Sequence, residues 1–74
     1  MTDLQQEALS VLEEVWTLSP DVRLGQLMAH LDFLADSHLG KGLGEIEDDE
    51  LVAILNRHRG ELMARVQDAM PSLD

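Results

Sequence analysis

Apolar residues recur along this chain at spacings of three and four, in three blocks separated by proline or glycine. That period places them on one face of a helix rather than on a strand. In the first block Leu4, Ala8, Val11, Leu12, Val15 and Leu18 form the stripe, and Leu9 and Trp16 widen one flank. Gln5, Gln6, Glu13, Glu14 and Thr17 fall outside it, as a solvated face does. Thr2 and Gln5 have the spacing of a capping box, so a helix is predicted over Thr2–Leu18. The second block runs Leu24, Leu27, Met28, Leu31, Leu34, Ala35 and Leu39. Ser19 suits its N-cap, Pro20 its first position, Asp21 its first turn and Gly40 its left-handed end, which predicts Pro20–Leu39.

The third block carries Leu51, Leu55, His58, Leu62, Val66 and Ala69, broadened by Val52, Ile54 and Met63. It predicts a helix from Asp48 to Met70, closed by Pro71. Gly60 interrupts this block. A break there is one reading, but the apolar phase continues across it and favours one helix, bent at the glycine. The fold class that follows is all-α: a small three-helix bundle in a single domain, residues 1–74, with helix two central. Gly40 to Gly44, GKGLG, is the Gly-rich loop between helices two and three. Gly25, inside helix two, predicts close approach of a neighbouring helix, because glycine in an exposed helix costs about 1 kcal/mol against alanine. Phe33 lies off the stripe, either packed on helix one or left on an exposed patch.

Length and composition narrow the function. A 74-residue chain has room for one domain with a modest core. Without cysteine it forms no disulfide and holds no thiolate metal site. Fifteen acids against five bases give a net charge of −10. Such a surface repels phosphate backbones and anionic lipid, so neither nucleic acid nor a membrane is the expected partner. No apolar run approaches the length of a membrane span, and the acidic start does not read as a secretory leader.

Candidate chemistry is sparse. The loop lacks the spacing and the preceding strand of a phosphate-binding Walker loop. Asp36 to Glu47 has the length of a calcium-binding EF-hand loop, with an acid at each end. His38, Gly40 and Lys41 occupy positions where oxygen ligands and a glycine are needed, so no calcium site is expected. His30, His38, Asp32 and Asp36 do not share the spacing of a transition-metal site. Ser10, Ser19, Ser37 and Ser72 lack an adjacent base that would make a nucleophile. The run Glu45 to Glu50, EIEDDE, reads first as the acidic opening turn of helix three, with Asp48 as its cap and Ile46 as a staple before it. No cofactor is expected.

The segment Pro20, Asp21, Val22, Arg23, Leu24, Gly25, Gln26, Leu27, followed by Glu47, Asp48, Asp49, Glu50, Leu51, resembles a group of short uncharacterised bacterial proteins. That group shares a P-D-x-R-x-G-Q-L stretch and then an E-D-x-E-L stretch. The resemblance implies a bacterial, cytoplasmic protein and carries no activity with it. This chain departs in the loop, where Gly42 to Gly44 replaces aromatic residues of the group.

Two expectations about contacts follow. A cation at Arg23, in the first turn of helix two, opposes the helix dipole and needs compensation. The nearest rich source of carboxylate is Glu47, Asp48, Asp49 and Glu50, so a structural clasp joining Arg23 and Gln26 to these acids is predicted. The apolar stripes are also wider than a three-helix monomer can cover. Leu9, Trp16, Phe33, Val52, Met63 and Met70 are therefore the interface candidates. The function expected is a small acidic protein-interaction module, not an enzyme, pairing as a homodimer or with another protein. The alternative is a metal-dependent accessory protein using residues 45–50 with His38 or His58.

Overall fold

In the computed structural model, which describes residues 1–69, α1 spans Asp3–Leu18, α2 Leu24–Leu39 and α3 Asp48–Ala69. A single 3-10 turn at Leu43–Glu45 interrupts the connection between α2 and α3. The chain is all-α, with no strand among the described residues. The expected end of helix three at Met70 and Pro71 lies outside them.

Local chemistry accounts for most helix ends. At the start of α1 the Gln5 N–H donates to Thr2 Oγ1 at 3.1 Å, and the Thr2 N–H donates to Gln5 Oε1 at 3.0 Å. Both halves of the capping box are thus made. Gly40 ends α2 at φ 68°, its N–H bonded to the Asp36 carbonyl, in a conformation that other residues rarely adopt. At α3 the Glu47 carbonyl accepts from the Leu51 N–H, so Glu47 rather than Asp48 holds the cap position. Glu50 Oε1 reaches back to the Glu47 N–H at 2.9 Å. Ile46 and Leu51, on either side of this cap, both pack against the core, as a hydrophobic staple requires.

The start of α2 differs from the sequence expectation. Ser19 to Val22 forms a turn, with the Val22 N–H bonded to the Ser19 carbonyl at 3.0 Å, and the helix begins only at Leu24. Proline fits the second position of such a turn as well as the first position of a helix, because both need the same φ. Gln26 decides between them: its Oε1 accepts from the Arg23 N–H at 3.0 Å and closes the helix there. Arg23 carries no side-chain acceptor to return the bond, so only half a capping box forms.

The helices run up, down and up. Ala8, Leu9 and Leu12 of α1 meet Leu51 and Leu55 of α3, and Glu14 pairs with Arg59 at 2.7 Å, so α1 and α3 are parallel neighbours. His30 lies by His58 while Leu39 lies by Glu50 and Ile54, so α2 is antiparallel to α3. It is α3, not α2, that both other helices approach, and α1 lies closest to it. The core joins Val11 and Val15 of α1, Leu27, Leu31 and Ala35 of α2, and Ile54 and Leu55 of α3. From the Glu14–Arg59 level, four residues end α1 at Leu18 and bring α3 to Met63, after which α3 continues to Ala69 without that neighbour.

Both helical glycines stand in open space. A side chain at Gly25 or Gly60 would meet nothing within 4 Å, so Gly25 does not mark a close helix approach. It sits at the exposed second position of α2, and nothing in the structure explains the choice. α3 passes through Gly60 without a break. Gly60→Ala should therefore stabilise the fold by about 0.5–1 kcal/mol, from helix propensity and a smaller unfolded-state entropy. Thermal unfolding followed by circular dichroism should show a midpoint a few degrees higher; a lower midpoint would mean that α3 needs the glycine.

Candidate functional site

The two faces of α2 build two different crevices. On the α1 side, Leu9 and Leu12 of α1, Met28 and Leu31 of α2, Leu43 of the connection, and Leu51 and Leu55 of α3 line a cleft of almost wholly apolar surface. Leu43 is held there because its N–H donates to Asp32 Oδ1 at 2.7 Å, which ties the Gly-rich connection to α2. Leu9 is left 54% exposed on the rim, while Leu31 at the floor is 1% exposed. An arrangement like this offers shape and apolar area, and no group that could move a proton or an electron pair.

On the α3 side, His30 and His58 face each other with ring centroids 4.7 Å apart, in a crevice also lined by Ser19, Val22, Leu27, Leu62 and Arg65. His58 is the one buried polar residue among those described, 5% exposed, and its Nδ1 has no hydrogen-bond partner. Burial disfavours its charged form, and the neighbouring His30 adds to this, so the His58 imidazole titrates below its ordinary value of 6.5. Phe33 stacks beside His30 with centroids 6.4 Å apart and remains 63% exposed.

The expected clasp does not form. Arg23 engages no carboxylate among the ion pairs of the described residues, which join Lys41 to Glu50, Arg57 to Glu61 and Arg59 to Glu14. The reason is direction: α2 and α3 are antiparallel, so Arg23 stands at the end of the bundle where α3 finishes, and Glu47 to Glu50 stand at the other. The acids are served locally. Glu50 caps Glu47 and lies 3.8 Å from Lys41, and Asp49 Oδ1 accepts from the Glu50 N–H. Gln26 is spent on the α2 terminus. Among the described residues no group of three or more His, Cys, Asp or Glu side chains could hold a metal ion.

The interface candidates do not share one face. Val52 is buried, 7% exposed, and leaves the set. Met70 lies outside the described residues. Leu9 and Trp16 stand on α1, and Trp16 also has a structural duty, its indole N–H donating to the Val22 carbonyl at 2.8 Å. Phe33 belongs to the His30 side of α2, and Met63 to the end of α3, 48% exposed. The crevice floors, with Met28 and Leu43, and the His30–His58 contact were not visible as sites in the sequence. A single signal pointed to the second: a histidine standing in phase with Leu51, Leu55 and Leu62 of an apolar stripe.

No protein-family model, curated protein or solved structure matches the chain. Arg23→Ala should change stability by less than about 0.5 kcal/mol, as for an unpaired surface residue. Gln26→Ala, which strips the α2 cap, should cost about 0.5–1 kcal/mol. Urea unfolding of the two variants checks this order, and the reverse order would restore a role for the Arg23 charge.

Proposed function

We propose that this chain is a non-enzymatic helical interaction module that pairs with a second copy of itself through the cleft between α1 and α2. The observation that carries this is Leu9, 54% exposed on the rim of an apolar cleft whose floor is Leu31 and Leu55. Gln5, Leu9, Leu12 and Trp16 follow one another at four, three and four residues along α1, the spacing by which paired helices interlock. A helix of a second copy laid in this cleft would complete a four-helix packing, and twofold pairing is the commonest closed arrangement. The net charge of −10 opposes the approach, but ordinary salt screens that repulsion beyond about 10 Å.

A bacterial, cytoplasmic setting belongs to the same reading and rests on the paired sequence segments described above. Among the described residues no helix is long and apolar enough to cross a membrane. The alternative, a metal-dependent accessory protein using residues 45–50, has no converging ligand group among the described residues to support it.

Light scattering coupled to size exclusion tests the pairing. The expected mass is twice the chain's 8.3 kDa at micromolar concentration. Burying the exposed half of Leu9 contributes about 1 kcal/mol in each copy, and a glutamate in its place adds a desolvation cost, so Leu9→Glu should weaken association about a hundredfold while leaving the helix content unchanged. A single-chain mass up to millimolar concentration would overturn the homodimer.

A further inference from the structure

The crevice between α2 and α3 is built around a polar group that the interaction reading does not use. His58 stands in the apolar stripe of α3, between Leu55 and Leu62, with His30 of α2 against it at 4.7 Å. Its Nδ1 is buried without a partner. A neutral imidazole tolerates this, because the unprotonated nitrogen is only an acceptor left idle. A charged imidazolium does not, because both nitrogens are then donors and one has nothing to donate to. Two imidazoles at this distance can share a cation, but Arg65 opens into the same crevice and among the described residues no third ligand joins them.

We propose that His58 and His30 form an acid-operated latch: neutral, they let α2 close on α3, and a proton taken up by His58 drives α2 away from the α1–α3 pair. The charges around His58 favour release. His30 faces it from α2, and Arg65 and Glu61 act on it from its own helix, of which only Glu61 would stabilise a cation. Glu61 is shared with Arg57 at 3.7 Å. The α1–α2 connection brings Ser19 and Val22 to the crevice, neither of them charged, and the Glu14 carboxylate of α1 is held by Arg59. The geometry also selects the moving part. α1 lies closer along α3 than α2 does, and the Glu14–Arg59 pair bridges the two. Release of α2 would uncover Leu27, Leu31 and Ala35 together with Ile54 and Leu55.

The sign follows from linkage. His58 holds its proton less tightly in the fold than in the open chain, because burial and His30 lower its value from 6.5. The closed state is therefore fully favoured above that value and loses ground as pH falls through it, until His58 is protonated in the fold as well. Amide hydrogen exchange at about pH 7.5 and about pH 5.5, corrected for intrinsic rates, tests this step, since that interval spans the ordinary histidine range and lies above the ordinary carboxylate range. Protection in α2 should fall relative to α1 and α3, by up to about tenfold for each pH unit separating the closed and open His58 values. His58→Leu should abolish the differential fall, and His38→Gln should leave it intact. His30→Gln, which removes the facing imidazole that lowers the closed-state His58 value and keeps the core, should leave the onset in place and shrink the fall, and this variant carries the test if His58→Leu fails to fold. Equal loss in all three helices, the same α2 fall in His58→Leu, or an undiminished fall in His30→Gln would each overturn the latch.

Discussion

Val15, Leu31 and Leu55, one from each helix, are the largest side chains withdrawn completely from water, and the bundle is organised around their meeting. Each lies near the middle of its helix's stripe, so burying the three together sets the rotation of every helix about its own axis. Full burial of such a side chain is worth about 1.5–3 kcal/mol, a large share of what a domain this small can muster. The flanking residues then take their positions by default. Leu12, Met28, Leu34 and Leu62 become partly buried, and Leu9 and Phe33 are turned outward.

With the rotations set, the polar groups sort themselves by helix direction rather than by sequence neighbourhood. The acids from Glu45 to Glu50 gather where α3 begins, and their charges meet backbone N–H groups and Lys41. Arg57, Arg59 and Arg65 lie from the middle of the same helix onward. Arg59 spans to α1 and Arg57 pairs one turn along its own helix, while Arg65 enters the crevice beside His58. Part of the negative charge is thus capped or paired, and its concentration marks the start of a helix.

The third helix carries the one inconsistency in this scheme. A leucine at position 58 would continue the stripe and leave no idle nitrogen in the interior. A histidine there weakens the α2–α3 seam relative to the α1–α3 seam, and makes its strength depend on protonation. The apolar cleft on the opposite side of α2 is of a different kind: it is unfilled rather than polar. α2 is therefore the helix with a conditional contact on one side and an incomplete one on the other.

Much of this was legible in the residues alone. The three stripes, the Thr2–Gln5 box and the Gly40 stop act within a few residues of one another, and local hydrogen bonding with helical period determines them without reference to the rest of the chain. Continuity through Gly60 was favoured by the unbroken apolar phase but left open, because a glycine at that point also permits a break. The start of α2 was not legible, because proline's φ serves a turn and a helix equally and the choice fell to the Gln26 side chain. The Arg23 clasp failed because charge complementarity says which groups attract, while only the antiparallel course of α2 and α3 says which end of the bundle each occupies. Val52 went inside and Leu9 outside although both flank a stripe, because the angle at which α1 settles on α3 decides which flank is covered. The pairing of His30 with His58 was likewise decided by tertiary packing: it joins residues 28 positions apart whose separate helical phases carry no information about each other.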